Sequence, residues 1–423
     1  MNRLVLIGNG FDLAHGLKTS YADFINWYWE TRVMGFNGNL STISQDCLCS
    51  FEDLRGEVWN VNAFSGLSIL PGYNVHHFTS AAEVIEQILL HPKEIKTTFS
   101  PFFVRIIKSI ESKGWVDIEN EYYNLLTDYA FPLGVFNEGS KEQEIKALNE
   151  QLHYLQELLI EYLKEITKEQ PERVQSISNA IYAPFKENDF SIDGTKKLEE
   201  HKSYWEFHEE RDNELIYNVK RYGLDPIQCE GDVRCWREDQ PNDSTIYPPE
   251  FLLPKEIMAL NFNYTHTAQI YSNRYDSFEE VHIHGDFDDK DSIIFGYGDE
   301  LHTDFVKLKE HDNNECLQNV KSIRYQEAPN YKHVLRFIES EPFQVLIMGH
   351  SCGNSDRTLL NTIFEHKNCV SIKPYYYKKE DGTDNYIEIV QNISRNFTDM
   401  KLMRDRVVNK TQCEPLVHQI TYK

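Results

Sequence analysis

The sequence lacks any Cys-x-x-Cys pair, although it holds cysteines at 47, 49, 229, 235, 316, 352, 369 and 413. The nearest two, Cys47 and Cys49, are too close for a zinc site and make a poor disulfide framework, so reduced thiols are expected. No apolar run reaches transmembrane length, and the opening MNRLVLIGNGFD is too short in apolar residues for a signal peptide. A cytoplasmic protein with no membrane partner is the expectation. Positive charge is scarce, with 43 Lys and Arg against 67 Asp and Glu and a formal charge of −24. Binding to a nucleic-acid backbone is driven by Lys and Arg clusters, so this balance disfavours a nucleic-acid partner. Disorder is excluded in turn by the 13% aromatic content, and 423 residues leave room for a sizeable core and more than one unit.

Short apolar runs that end in glycine or small polar residues are present, and they recur at both ends of the chain. Leu4–Ile7 runs into Gly8-Asn9-Gly10, residues 257–260 into Asn261-Phe262-Asn263-Tyr264, and 281–283 into His284-Gly285. Residues 293–295 precede Gly296, and 345–348 lead into Gly349-His350-Ser351. Such runs predict buried parallel strands of an open α/β sheet, whose carboxyl edge builds a ligand site. From about 45 to 250 the character turns helical and charged. Ile145, Leu148, Leu152, Leu155, Leu159, Tyr162 and Ile166 follow an alternating three-four spacing over 141–167. Two readings stand, a helix packed within its own subdomain or a coiled-coil seam for a homo-oligomer. A second helix is predicted at about 172–184, and 225–250 reads as a loop returning to the sheet.

Three loops carry candidate chemistry. Gly8-Asn9-Gly10-Phe11-Asp12 would aim backbone N–H groups at a phosphate, yet Leu13 stands where the third glycine of a dinucleotide fingerprint belongs, so a plain tight turn is the alternative. Asn263 offers a donor and an acceptor that could hold a water or a hydroxyl, or it could bond its own turn. His284 could take a proton near neutrality or serve only as a loop residue, while His282 is read as packed on the other face of its strand. In GHSCGNSD, Ser355 or Asp356 is a natural N-cap for the helix that follows, and Asp356 could instead accept hydroxyls beside Gly349–Ser351.

Taken in order, GNGFDLAHGLKTSYADF at 8–24, GWVDIE at 114–119, LNFNYTHT at 260–267, HIHGDF at 282–287 and GHSCGNSD at 349–356 resemble the AbiH abortive-infection proteins. These in turn resemble the sirtuin-like NAD-binding fold. The resemblance implies an α/β fold, a Rossmann-like parallel sheet (sirtuin-like) with a large helical insertion. Residues 1–45 and 251–423 would form the nucleotide-binding core and 46–250 the insertion. It implies an anti-phage effector that hydrolyses NAD, with Asn263 and His284 as catalytic pair. Nicotinamide leaves from a cationic state and needs no proton from a general acid, which suits such a pair. Gly8, Asn9, Gly10, Phe11, Asp12 and Tyr264 would line the phosphate and ribose pocket, with Gly349, His350, Ser351 and Asp356 on the adenosine side.

Two positions depart from that pattern. Asp12 stands where a serine follows the glycines, and Thr265 where aspartate follows Asn-Tyr. The four-cysteine zinc module of sirtuin deacetylases is absent, so no metal is expected and hydrolysis is favoured over deacetylation. A binding sensor without turnover is the alternative function. In GWVDIE, Trp115 and Ile118 would pack inward, and Glu119 either anchors that packing or reaches the pocket. A phage-derived trigger is expected, because an enzyme that destroys NAD must be restrained in an uninfected cell.

Overall fold

Six buried residues, Asn2–Ile7, make the central strand β1, whose side chains alternate between the two faces of a sheet. Leu4 and Leu6 join one buried cluster, and Val5 and Ile7 join another. The molecule is known from a computed structural model. It describes residues 1–35, 44–53, 67–69, 76–78, 81–90, 92–93, 95–113, 116–131, 138–206, 215–217, 219–220, 225, 227–229, 231, 248–272 and 278–417.

Among the described residues the remaining strands are β2 (Ser44–Gln45), β3 (Cys49–Asp53), β4 (Leu67–Ile69), β5 (His76–Phe78), β6 (Ile95–Phe99), β7 (Ile257–Asn261), β8 (Phe278–His282), β9 (Phe343–Met348) and β10 (Cys369–Tyr375). Four of them join β1 in one parallel sheet of order β10-β9-β1-β7-β8. In chain order the path steps outward from β1 through β7 to β8, then returns to the opposite side of β1 for β9 and β10. Open α/β sheets place ligands where that reversal leaves a crevice beyond the carboxyl ends of the strands. Ile7 is level with both Asn261 and Met348, so the loops after β1, β7 and β9 open side by side.

One sheet face is covered by the helices Asn330–Ser340, Arg357–Phe364, Tyr386–Arg395 and Met400–Arg406, through residues such as Phe337, Leu360, Ile393 and Met403. The other face packs against Ile177 and Ile181 of helix Gln175–Tyr182, with Phe251 and Tyr271. A third cluster gathers helices Tyr21–Gly35, Pro101–Lys113, Ile118–Ala130 and Glu138–Ile166, together with Ile293, Phe295 and Leu308.

Two expectations need correction, and one open choice is decided. The stretch from 46 to 250 holds strands as well as helices, because β-formers such as Phe51, Thr97 and Phe99 pair β3 with β6. Residues 293–295 are buried but form no strand; they run extended to an isolated bridge between Tyr297 and Val320. The three-four seam is closed within the chain: Ile145, Leu148, Leu152, Leu155, Leu159 and Tyr162 are all buried in the third cluster. It is therefore no free surface for a partner protomer. Most of 225–250, like Trp115, lies outside the described residues. The described cysteines are free thiols. Among the described residues no helix is long and apolar enough to cross a membrane.

Candidate active site

Two strand-end loops meet so closely that side chains cannot fit between them. A Cβ on Gly8 would lie 2.5 Å from His350 Cα, and one on Gly10 2.9 Å from Gly349 Cα. Gly349 adopts φ +75°, and its Cβ would fall 2.0 Å from the Phe11 nitrogen. Gly349→Ala is therefore expected to cost about 1–3 kcal/mol or more. Gly382→Ala, at φ +85° with open space around it, should cost only the backbone part. Denaturant unfolding of both variants compares the two costs.

That close approach uses the loop's own N–H groups. Gly8 donates to Met348 O (3.3 Å), Gly10 to Gly349 O (2.8 Å) and Phe11 to Gly8 O (2.8 Å). These three donors bind protein, as in the tight-turn reading, and do not aim at a phosphate. Phe11 departs from expectation. Its side chain is buried on the far face of the sheet against His15 and Tyr271, where the first turn of helix Asn9–Ala14 directs it.

The other anticipated residues do converge. A cavity of about 420 Å³ is lined by Gly8, Asn9, Gly10, Asp12, Asn263, Tyr264, His284, Gly349, His350, Ser351 and Asp356, with Asp117, Glu119, Phe262, Thr265 and Lys321 beside them. Asn263 does not bond its own turn; its Nδ2 donates to Gly8 O at 3.0 Å and ties the β7 loop to the β1 loop. Asn9 Oδ1 accepts from the Thr19 hydroxyl at 2.5 Å. The two unusual residues partner each other, the Thr265 hydroxyl donating to Asp12 Oδ2 at 2.6 Å. Burial raises the Asp12 carboxyl to about 6 against hydrogen bonds from Thr265, Thr267 and Asn263.

A buried charge network forms the floor. Lys321 Nζ lies 2.8 Å from Asp356 Oδ1 and 3.0 Å from Glu119 Oε2, with Lys321 only 1% exposed. Asp356 occupies the N-cap position of helix Arg357–Phe364 but makes no capping bond. Its carboxylate faces Lys321, His284 Nε2 (3.3 Å) and His350 Nε2 (3.5 Å) instead. The Cys352 N–H donates to His350 Nδ1 at 2.9 Å, which leaves the Nε2 proton for Asp356. Burial alone would raise the Asp356 carboxyl, but the Lys321 ammonium and His284 hold it well below the usual range. Burial pushes the His284 imidazole down to about 4, helped by the Lys321 charge, so it is neutral near pH 7. Glu119 is raised to about 8 by burial, against the pull of Lys321.

Local structure explains each placement. Asp117 caps helix Ile118–Ala130 by accepting from the Asn120 N–H, which starts the helix at the cavity wall and turns Glu119 inward. Glu119 Oε1 also accepts from the Gly296 N–H at 3.1 Å. The Tyr297–Val320 bridge carries Lys321 beneath the cavity, and the Lys321 N–H donates to Tyr297 O. Sequence reasoning missed Lys321, which lies in no recognisable motif. The tyrosine at 325 was missed too; its hydroxyl lies 3.2 Å from His284 Nε2. Asn263 and His284 both line the cavity but do not bond each other.

These features define an α/β protein with a five-stranded parallel sheet and an acidic cavity at its carboxyl edge. The chain matches the family model "Bacteriophage abortive infection AbiH" over residues 4–377, and it belongs to the AbiH family. No curated protein and no solved structure matches it.

Proposed function

We propose that the protein is an abortive-infection effector whose cavity hydrolyses NAD to nicotinamide and ADP-ribose on a sirtuin-like nucleotide-binding core. The observation that carries this reading is the Asp356–Lys321–Glu119 network on the floor of a cavity that also holds Asn263 and His284. Four carboxyl groups line that cavity, at 12, 117, 119 and 356, against the single ammonium of Lys321. Such a lining suits the cationic nicotinamide riboside end of NAD better than its pyrophosphate. As the glycosidic bond breaks, positive charge moves onto the ribose, and the ionised Asp356 stabilises it in a medium of low dielectric. Neutral His284 and the Asn263 amide orient the ribose hydroxyls and the attacking water. The strand order with its reversal at β1 and β9 supports a nucleotide ligand.

Glu119 gives this reading a pH signature. Below about 8 it carries its proton, and the Asp356 and Lys321 charges cancel. Above that value the cluster gains one negative charge, which favours a ribosyl cation. Turnover is expected to rise as the pH passes through about 8, and the rise should disappear in Glu119→Gln. Steady-state rates between about pH 6 and pH 9 test this.

A sensor without turnover is the second reading, motivated by Asp12 and Thr265, which depart from the catalytic pattern and bond each other inside the cavity. Purified protein incubated with NAD separates the two. Nicotinamide and ADP-ribose appearing in equal amounts supports hydrolysis, whereas saturable NAD binding with no product supports the sensor.

A further inference from the structure

Away from the cavity floor, folding brings two histidines and a carboxylate together on the edge strand of the sheet. Glu280 and His282 stand two residues apart on β8 and so share a face. His266 reaches them from the turn after β7, its ring centroid 5.0 Å from that of His282. One ligand atom from each of His266, Glu280 and His282 lies within 4.8 Å of the others.

The surroundings of His282 call for a positive charge at its Nε2. Its Nδ1 donates to Asn263 O at 3.1 Å, which places the lone pair on Nε2. That Nε2 is buried, has no hydrogen-bond partner, and faces Glu280 Oε1 at 3.3 Å. A lone pair and a carboxylate oxygen repel, and either a second ring proton or a bound cation between them removes the repulsion. Two ligand atoms about 2.0–2.1 Å from a tetrahedral ion lie about 3.3 Å apart, which matches this separation. Glu280 is held in turn by Asn261 Nδ2 at 2.7 Å, and Asn261 also accepts from the Asn263 N–H.

We propose that His266, Glu280 and His282 bind one divalent transition ion of the zinc type. Two imidazoles and one carboxylate suit such an ion, with a water in the fourth position. The bound ion fixes the loop that carries Asn263, because His282 and Asn261 both bond that loop directly. Asp286 and Asp288 lie on the solvent side of His266, at 3.9 and 3.0 Å from its Nε2, and draw cations toward the site.

The test uses the full chain stripped with a chelator and then titrated with Zn²⁺ by calorimetry and with Co²⁺ by visible absorption. One ion per chain is expected, with the intense absorption of four-coordinate Co²⁺. Glu280→Gln and His282→Ala should each weaken binding by about 100-fold or more. His266→Gln changes a partly exposed side chain, and it keeps the test decisive if the other variants misfold. Failure of the wild type to bind would show that a second proton on His282 fills the gap, and would overturn the proposal. Equal affinity in wild type and variants would place the ion on the exposed aspartates and would also overturn it.

Discussion

Lys321→Met should destabilise the protein by about 3–5 kcal/mol, the largest stability loss expected from any single substitution at the site. The reason is asymmetry. Among the described residues, this lysine alone contacts the two buried carboxyls Glu119 and Asp356, at 3.0 and 2.8 Å. Removing it leaves Asp356 ionised without a partner in a low-dielectric floor, or forces it to take up a proton. The ion pair itself need not be a net stabiliser, since burying three ionisable groups costs much of what their attraction returns. Restoring neutrality should therefore recover most of the loss. The triple variant Lys321→Met, Glu119→Gln, Asp356→Asn should be more stable than Lys321→Met alone. Lys96→Met gives the contrast, because its 3.5 Å pair with Glu52 is exposed at both ends and should contribute only about 0–1 kcal/mol. Urea denaturation midpoints compare all three. A Lys321→Met variant as stable as wild type would mean that the network is not formed as described.

The second large effect concerns turnover. Under the proposed hydrolysis, His284→Ala should reduce kcat by about 10²–10⁴-fold. The imidazole is 3% exposed and held between Asp356, the Tyr325 hydroxyl and the edge of Phe262. Its loss removes the group that orients water and ribose, and it also empties a packed position. His284→Gln keeps volume and polarity, so a matching loss of kcat in that variant, with an unchanged circular dichroism spectrum, assigns the effect to chemistry. Asn263→Ala differs in kind. It cuts the bond from Nδ2 to Gly8 O, so the β7 and β1 loops should also loosen.

Much of this site was legible because strand ends announce themselves. A buried apolar run followed by glycine or asparagine located the loops after β1, β7, β8 and β9, and those loops do meet at one edge. Asn263, His284 and Asp356 followed from residue type at those ends. Glu119 was legible as a position, while its partner was not. Lys321 lies in a charged stretch, QNVKSIRYQE, whose pattern gives no sign of burial. The strand β10 was hidden for a related reason. Ser371 and Lys373 interrupt its apolar pattern, and only the fold supplies their partner, Asp189, at 2.6 and 2.9 Å. Phe11 misled because a loop position does not fix a rotamer's direction; the helix beginning at Asn9 turns that side chain to the far face. The glycine loop misled more deeply. Gly-x-Gly reads as a phosphate cradle, whereas here Gly8, Gly10 and Gly349 serve the close approach of two loops. The histidine and carboxylate cluster at β8 draws on residues 266, 280 and 282, whose spacing matches no metal motif.

The central claim is that this cavity breaks the bond between nicotinamide and ribose. Nicotinamide released from NAD by purified wild-type protein, measured beside His284→Gln and Asn263→Ala, tests it most directly. The account predicts release by the wild type and loss of release in both variants. Equal release from all three proteins would contradict it.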